Sequence, residues 1–174
     1  MVASAEPLPR IGPAPDFSLL DQNGDVFTFR KLRGKVAIVT FIYTSCSDSC
    51  PLLTAKLVQI HKMLGNETSR VHFVEITVDP LHDSPKVLKR YAELYSASSE
   101  NFSFLTGNFD QIDDVVQGFG AYFELKSRRN VDHIFLTSIV DQSGTIRVQY
   151  LGWQFDPEEF LGDIRSVING DERT

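Results

Sequence analysis

The sequence predicts an α/β fold, a mixed central sheet with helices on both faces and an N-terminal hairpin. Three observations carry this. Residues 36–43 (VAIVTFIY) and 71–78 (VHFVEITV) are β-branched and apolar on both faces, as central buried strands are. Segments with helical apolar spacing alternate with them. The strand at 134–140 is joined by Asp141-Gln142-Ser143-Gly144 to a second at 145–150, a hairpin and therefore an antiparallel pair. Parallel and antiparallel strands together make the sheet mixed.

Taken in order, residues 17–20 and 26–29 flank Asp21-Gln22-Asn23-Gly24-Asp25, a hairpin around an Asn-Gly turn. Residues 30–33 form a short turn ended by Gly34. After the strand at 36–43 comes the segment Thr44-Ser45-Cys46-Ser47-Asp48-Ser49-Cys50-Pro51. Pro51 opens a helix with Leu53, Leu57, Ile60 and Leu64 on one stripe and Gly65 just past its end. Asp79-Pro80 breaks the strand at 71–78, and Ser84-Pro85 caps a helix to about Tyr95. A short strand at 102–105 and a helix at 110–119 follow. Asp156-Pro157-Glu158-Glu159 opens the last helix with an N-cap, a proline and acids in the first turn. No repeat or linker divides the chain, so residues 13–170 read as a single domain preceded by a flexible segment, 1–12.

Composition narrows the function. The 174 residues carry 17 basic and 23 acidic side chains, net −6. With no basic run, this argues against nucleic acid as a partner. The longest apolar stretch is 36–43, far short of the ~20 residues that cross a bilayer. Pro7, Pro9, Pro13 and Pro15 mark the N-terminus, which lacks the apolar segment of a signal peptide. The chain is therefore either cytoplasmic or a trimmed form of an exported protein.

There are two cysteines, and both fall in one short loop. Closing so short a loop gives little stability, so reactivity or metal binding explains the pair better. Cys46 lies in the loop leaving a central strand, where open α/β sheets place their sites. Cys50 immediately precedes the helix, whose dipole is expected to lower its thiol pKa. At i and i+4 on a helical turn, Cβ atoms stand about 5–6 Å apart. A disulfide needs them nearer ~4 Å, while a metal taking two sulfurs at ~2.3 Å tolerates the wider gap. The spacing permits both a metal site and a reversible disulfide.

Two thiolates leave a metal site incomplete, and four histidines are available. His61 lies late in its helix and reads as surface or half-buried. His72 reads as a hydrogen-bonded strand histidine, and His82 as loop surface near the carboxyl end of its strand. His133 differs. If the strand at 134–140 runs antiparallel to the central strands, its start lies beside their carboxyl ends, which brings His133 toward the cysteines as a third ligand. Asp132 is a candidate to orient its imidazole, and Asp48 reads as an exposed loop acid.

The segments Phe41-Ile42-Tyr43-Thr44-Ser45-Cys46-Ser47-Asp48-Ser49-Cys50-Pro51, Val78-Asp79-Pro80-Leu81-His82-Asp83-Ser84-Pro85, Val131-Asp132-His133 and Val140-Asp141-Gln142-Ser143-Gly144 resemble, in order, the Sco (SenC) family. The resemblance runs from about Pro13 to Ile168. It implies a thioredoxin-like fold and copper held by Cys46, Cys50 and His133. It also implies a metallochaperone role in assembling the copper centre of cytochrome c oxidase, with subunit II as partner, besides a copper donor protein and a thiol reductant. Soft thiolates select Cu(I), and an imidazole lets the same site hold Cu(II). Ser47 departs from the family, which commonly has proline after the first cysteine. The implied location is extracytoplasmic, periplasmic or on the outer face of the cytoplasmic membrane, with a membrane anchor in the full-length form that this chain lacks. A monomer is expected.

The alternative reading is a thiol–disulfide oxidoreductase that uses Cys46 and Cys50 as its redox pair to reduce cysteines of a partner. On the copper reading the pair is expected to act as a redox gate, since a Cys46–Cys50 disulfide removes both sulfur ligands at once.

Overall fold

The computed structural model describes residues 8–47, 49–120, 123–127, 130–133, 136–151 and 153–170, with 123–127 and 130–133 placed by their backbone. Ten strands and four α-helices are found among them. The strands are β1 (Gly12–Pro13), β2 (Ser18–Leu20), β3 (Val26–Thr28), β4 (Val36–Ile42), β5 (Val71–Thr77), β6 (Phe102–Leu105), β7 (Phe123–Ser127), β8 (Asn130–His133), β9 (Leu136–Val140) and β10 (Thr145–Leu151). The helices are α1 (Ser49–Leu64), α2 (Pro85–Leu94), α3 (Phe109–Gly118) and α4 (Pro157–Gly170).

Six strands form the main sheet in the order β1-β10-β9-β4-β5-β6. All seven residues of β4 and all seven of β5 are buried, which is why their sequences show no alternation of polar and apolar positions. β4, β5 and β6 run parallel, and β9 runs antiparallel to β4 with Ala37 opposite Val140 and Val39 opposite Ser138. The mixed sheet expected from the sequence is present. Alternate residues of the central strands feed two cores. One holds Ile38, Ile42 and Phe73 with side chains of α1, α2 and α4. The other holds Val39, Phe41, Val74 and Ile76 with those of α3 and Phe29 after the β2–β3 hairpin. Helices therefore cover both faces.

Local chemistry fixes the boundaries. Gly65, at φ +57°, takes the left-handed position that ends α1. The Ser84 hydroxyl accepts from the Val87 amide at 3.3 Å, with Pro85 in the first turn of α2. Asn108 and Gln111 form a reciprocal capping box on α3, at 2.8 and 2.9 Å. In the β9–β10 turn, Asp141 Oδ1 accepts from the Ser143 and Thr145 amides, while Oδ2 meets Arg147 Nη1 at 3.2 Å. Burial pushes the Asp141 carboxyl up, but bonds from Ser143, Thr145 and Arg147 outweigh it and hold its pKa below the usual value. Arg147 also donates to the carbonyls of Leu8 and Pro9, at 2.7 and 3.1 Å. With the Ile11 amide bonded to Ile146, this fastens residues 8–13 to the sheet. Residues 1–7 of the expected flexible segment lie outside the described residues.

At the other margin of the sheet, the Gln22 side chain spans two backbone groups of β6, donating to the Phe102 carbonyl at 3.3 Å and accepting from the Phe104 amide at 3.0 Å. Leu20 bridges to Thr106 beside it. β7 and β8 pair only with each other, His133 opposite Phe123. The sequence reading assigned no strands there, nor β1. No helix of the described residues is long and apolar enough to cross a membrane.

Candidate metal and thiol centre

β4 ends at Ile42, and the chain turns so that the Cys46 amide bonds back to the Tyr43 carbonyl at 3.2 Å. α1 begins at Ser49, so Cys50 lies inside its first turn, where the sequence reading placed it just ahead of the helix. Pro51 is tolerated there because amides of the first turn have no intrahelical acceptor. One of those amides, that of Cys50, donates to Cys46 Sγ at 3.4 Å, and Ser49 Oγ lies 3.8 Å from the same sulfur. The positive end of the helix thus serves Cys46, one turn back, rather than Cys50.

Both thiols are free. Cys46 is 8% exposed and Cys50 is fully buried in the core beneath it. The expectation of a lowered Cys50 pKa is overturned. Its hydrogen bond with the Cys46 side chain and its burial push the thiol well up, against an opposing backbone hydrogen bond from Tyr43. Of the two sulfurs, Cys46 is the one a reagent meets first.

The loop bearing Cys46 is fastened by Asp83. Its fully buried carboxylate accepts from the Thr44 amide at 3.0 Å, from the Thr44 hydroxyl, and from the Thr77 hydroxyl at 2.6 Å. It thereby ties the exit of β4 to the end of β5 and to the 79–84 loop. One turn along α1 from Cys50, Thr54 donates to Glu75 Oε2 at 3.1 Å, and its hydroxyl lies 2.9 Å from that of Tyr91. Burial pushes the Glu75 carboxyl up to about 8 against the Thr54 bond, and burial followed by Glu75 pushes the Tyr91 hydroxyl up as well. Sequence reasoning passed over both acids. The signal for Glu75 was present, a lone carboxylate in the run Val71–Thr77 that is otherwise mostly apolar.

The histidines divide as expected where their side chains are described. His61 meets Asn101 Oδ1 at 3.2 Å and packs edge-on to Phe73 and Phe102. His72 is buried and bonded to Ser103 Oγ at 2.8 Å, and burial with nearby Lys35 lowers its pKa to about 4. His82 is exposed and paired with Asp79 at 2.9 Å. His133 is placed by its backbone at the end of β8, and the start of β9 lies toward the carboxyl end of β4, as the antiparallel topology requires. The side chains of His133 and Asp132, and Asp48 altogether, lie outside the described residues. Among the described residues no three His, Cys, Asp or Glu side chains assemble into a metal site.

The profile of the SCO1/SenC family matches residues 8–169. The chain is 37% identical over 134 residues to the SCO2-like protein of Rickettsia prowazekii (strain Madrid E), a match covering 74% of this chain but 64% of that protein's length. A crystal structure of a SCO1/SenC family lipoprotein from Bacillus anthracis str. Ames superposes with a TM-score of 0.81 at 27% identity, covering 90% of this chain and 95% of that one. BsSco, described as a Sco-family cytochrome c oxidase assembly protein with a disulfide switch, gives 0.81 at 28% identity and coverage of 92% and 96%. Copper-bound ScoI of Bradyrhizobium japonicum gives 0.77 at 27% identity and coverage of 89% and 99%. These likenesses agree with the thioredoxin-like fold.

Proposed function

The chain belongs to the SCO1/SenC family, and from that premise we propose that it binds copper through the thiolates of Cys46 and Cys50 and the imidazole of His133, and serves the assembly of the copper centre of cytochrome c oxidase. The observation that carries this reading is the sulfur pair itself. Two free thiols stand one helical turn apart at the carboxyl end of a central strand, with a helix amide already turned to Cys46 Sγ. Thiolate sulfur is a soft donor that favours Cu(I), and an added imidazole suits Cu(II). A three-donor site also releases its metal to a partner more readily than a closed four-coordinate one. Copper is the cargo here. Cys46, the less buried donor, is where it enters and leaves.

A lipoprotein relative supports a placement on the extracytoplasmic side of a membrane, and a relative described as a cytochrome c oxidase assembly protein supports the oxidase as recipient, with subunit II the expected partner. The test is an anaerobic copper titration of the reduced chain. One copper per chain is expected, lost in Cys46→Ala, Cys50→Ala and His133→Ala. Undiminished binding by the His133→Ala chain would overturn the three-donor assignment.

A second reading is favoured by the free pair and by the disulfide switch of BsSco. Here the pair reduces a partner's disulfide, Cys46 attacking and Cys50 resolving. Oxidation converts two thiols to one disulfide with loss of two protons and two electrons, and leaves only an imidazole for copper. Free-thiol counting after mild oxidation, followed by copper titration, separates delivery from reduction.

A further inference from the structure

The end of the sheet away from the sulfurs carries charge opposite in sign to that of the whole chain. Residues 30–35, read from the sequence as a short turn, hold Arg30, Lys31, Arg33 and Lys35, all exposed. Four cations in six positions fall short of the longer like-charge block that marks a nucleic-acid tail. Folding adds a fifth from a distant part of the chain. Val36 stands opposite Val71, so Lys35 and the exposed Arg70 lie side by side where β4 and β5 begin. The backbone beneath them is fixed, the Arg33 and Lys35 amides bonding to Arg30 and Leu32 and the Gly34 amide to Gln142. Arg33 is laid against Gly144, where a Cβ would come within 0.9 Å of its Nη1.

One carboxylate answers the five. Asp16 meets Arg30 at 2.7 Å and Arg33 at 3.6 Å. Glu67, in the same turn as Arg70, is taken by Arg165 at 2.8 Å. Lys31, Lys35 and Arg70 make no ion pair among the described residues. Five cations less Asp16 leave the patch at +4 in a chain of net −6. At the sulfur end stand Asp79 on the 79–84 loop, Asp110 in the first turn of α3, and Glu158 and Glu159 in that of α4. Helix N-termini favour carboxylates there. The length of β4 and β5 sets the two ends ~23 Å apart, over twice the Debye length of ~10 Å at ~0.1 M salt. An anionic surface against the patch is therefore attracted by it and scarcely repelled by the far end.

We propose that this basic end is a docking surface for the anionic headgroups of a phospholipid bilayer, and that docking turns the Cys46 end away from the membrane. The assignment to a membrane rests on the extracytoplasmic placement proposed above. Headgroup phosphates need only a compact, fixed set of cations, whereas a nucleic acid duplex extends past the patch along a surface of its own sign.

The experiment sediments the reduced chain with vesicles of phosphatidylglycerol in phosphatidylcholine, and with vesicles of phosphatidylcholine alone, at ~0.1 M salt. Binding is expected on the first and not on the second. Each cation near an anionic bilayer strengthens binding about fivefold, so Lys31→Gln/Lys35→Gln should weaken it about 25-fold and Arg70→Gln about fivefold. All three side chains are exposed, so these variants should melt as the native chain does. Lys86→Gln/Lys89→Gln, at exposed positions of α2, removes the same charge elsewhere and should bind as the native chain does. Equal binding to phosphatidylcholine alone, or an equal loss in the α2 variant, overturns the proposal. Retention by a short DNA duplex with no binding to vesicles assigns the patch to nucleic acid and overturns it too. Copper titration of the same variants is expected to be unchanged, so failure of the vesicle test and failure of the copper reading are told apart.

Discussion

Removing the Asp83 carboxylate is expected to loosen the Cys46 loop by an amount that the hydrogen bonds allow one to work out. The side chain takes three donors, the Thr44 amide, the Thr44 hydroxyl and the Thr77 hydroxyl, with no exposure to water. Bonds to a charged acceptor contribute about 1.5–3 kcal/mol each. Against that, Asp83→Ala no longer has to bury a carboxylate, which returns part of the loss. The hydroxyls rotate to other partners, but the Thr44 amide is fixed by the backbone and is left unsatisfied. The net loss is about 3 kcal/mol, with Asp83→Asn nearer 2 because its amide faces a donor. Urea unfolding should show it as a lower midpoint at unchanged slope. Because Thr44 is two residues ahead of Cys46, thiol labelling at Cys46 should also quicken in the folded protein. A loss below ~1 kcal/mol, with labelling unchanged, would show that Asp83 does not fasten this loop.

Two further outcomes follow from burial. Limiting iodoacetamide should modify Cys46 well before Cys50, read by peptide mass mapping, and equal labelling would contradict the difference in exposure. His72 is neutral in the fold, with its pKa lowered to about 4 by burial and Lys35, while the unfolded chain protonates near 6.5. The unfolded state binds more protons between those values, so stability is constant above about 6.5 and falls as pH drops toward 4. The total is about 3 kcal/mol. Denaturant titrations of the native chain and His72→Gln across that window check it, and matching slopes would refute it.

The elements that the sequence made legible are those whose patterns are strong and local. The doubly buried strands, the Ser84-Pro85 start and the Asp141 turn are each dictated by a few neighbouring residues. What escaped depends on distant partners. β1 is two residues long and exists because Arg147 and Ile146 receive the N-terminal chain. β7 and β8 pair with each other outside the main sheet, and the alternation Phe123-Glu124-Leu125-Lys126 in β7 was a signal that the sequence reading passed over. At the site, the cysteine spacing and the antiparallel path to His133 were readable. The direction of the Cys50 shift was not, because it depends on the hydrogen bond with the Cys46 side chain and on burial, which follow from Cys50 lying inside the first turn of α1 rather than ahead of it.

The treatment of the sheet margins bears on how any partner docks. An open strand edge invites another chain to add itself by backbone pairing. Here β6 is only four residues long, and a glutamine side chain and a bridging loop already occupy its outer groups. At the opposite margin β1 contributes two residues, one of them a proline with no amide to offer. β6 thus presents no run of vacant donors and acceptors, whereas β1 pairs with only Thr145 and Ile146 of β10 and leaves residues 148–151 without a neighbouring strand on that side among the described residues. On the proposed delivery reading, a recipient is expected to meet the loops at the carboxyl ends of β4 and β5. That is also where the less buried sulfur emerges.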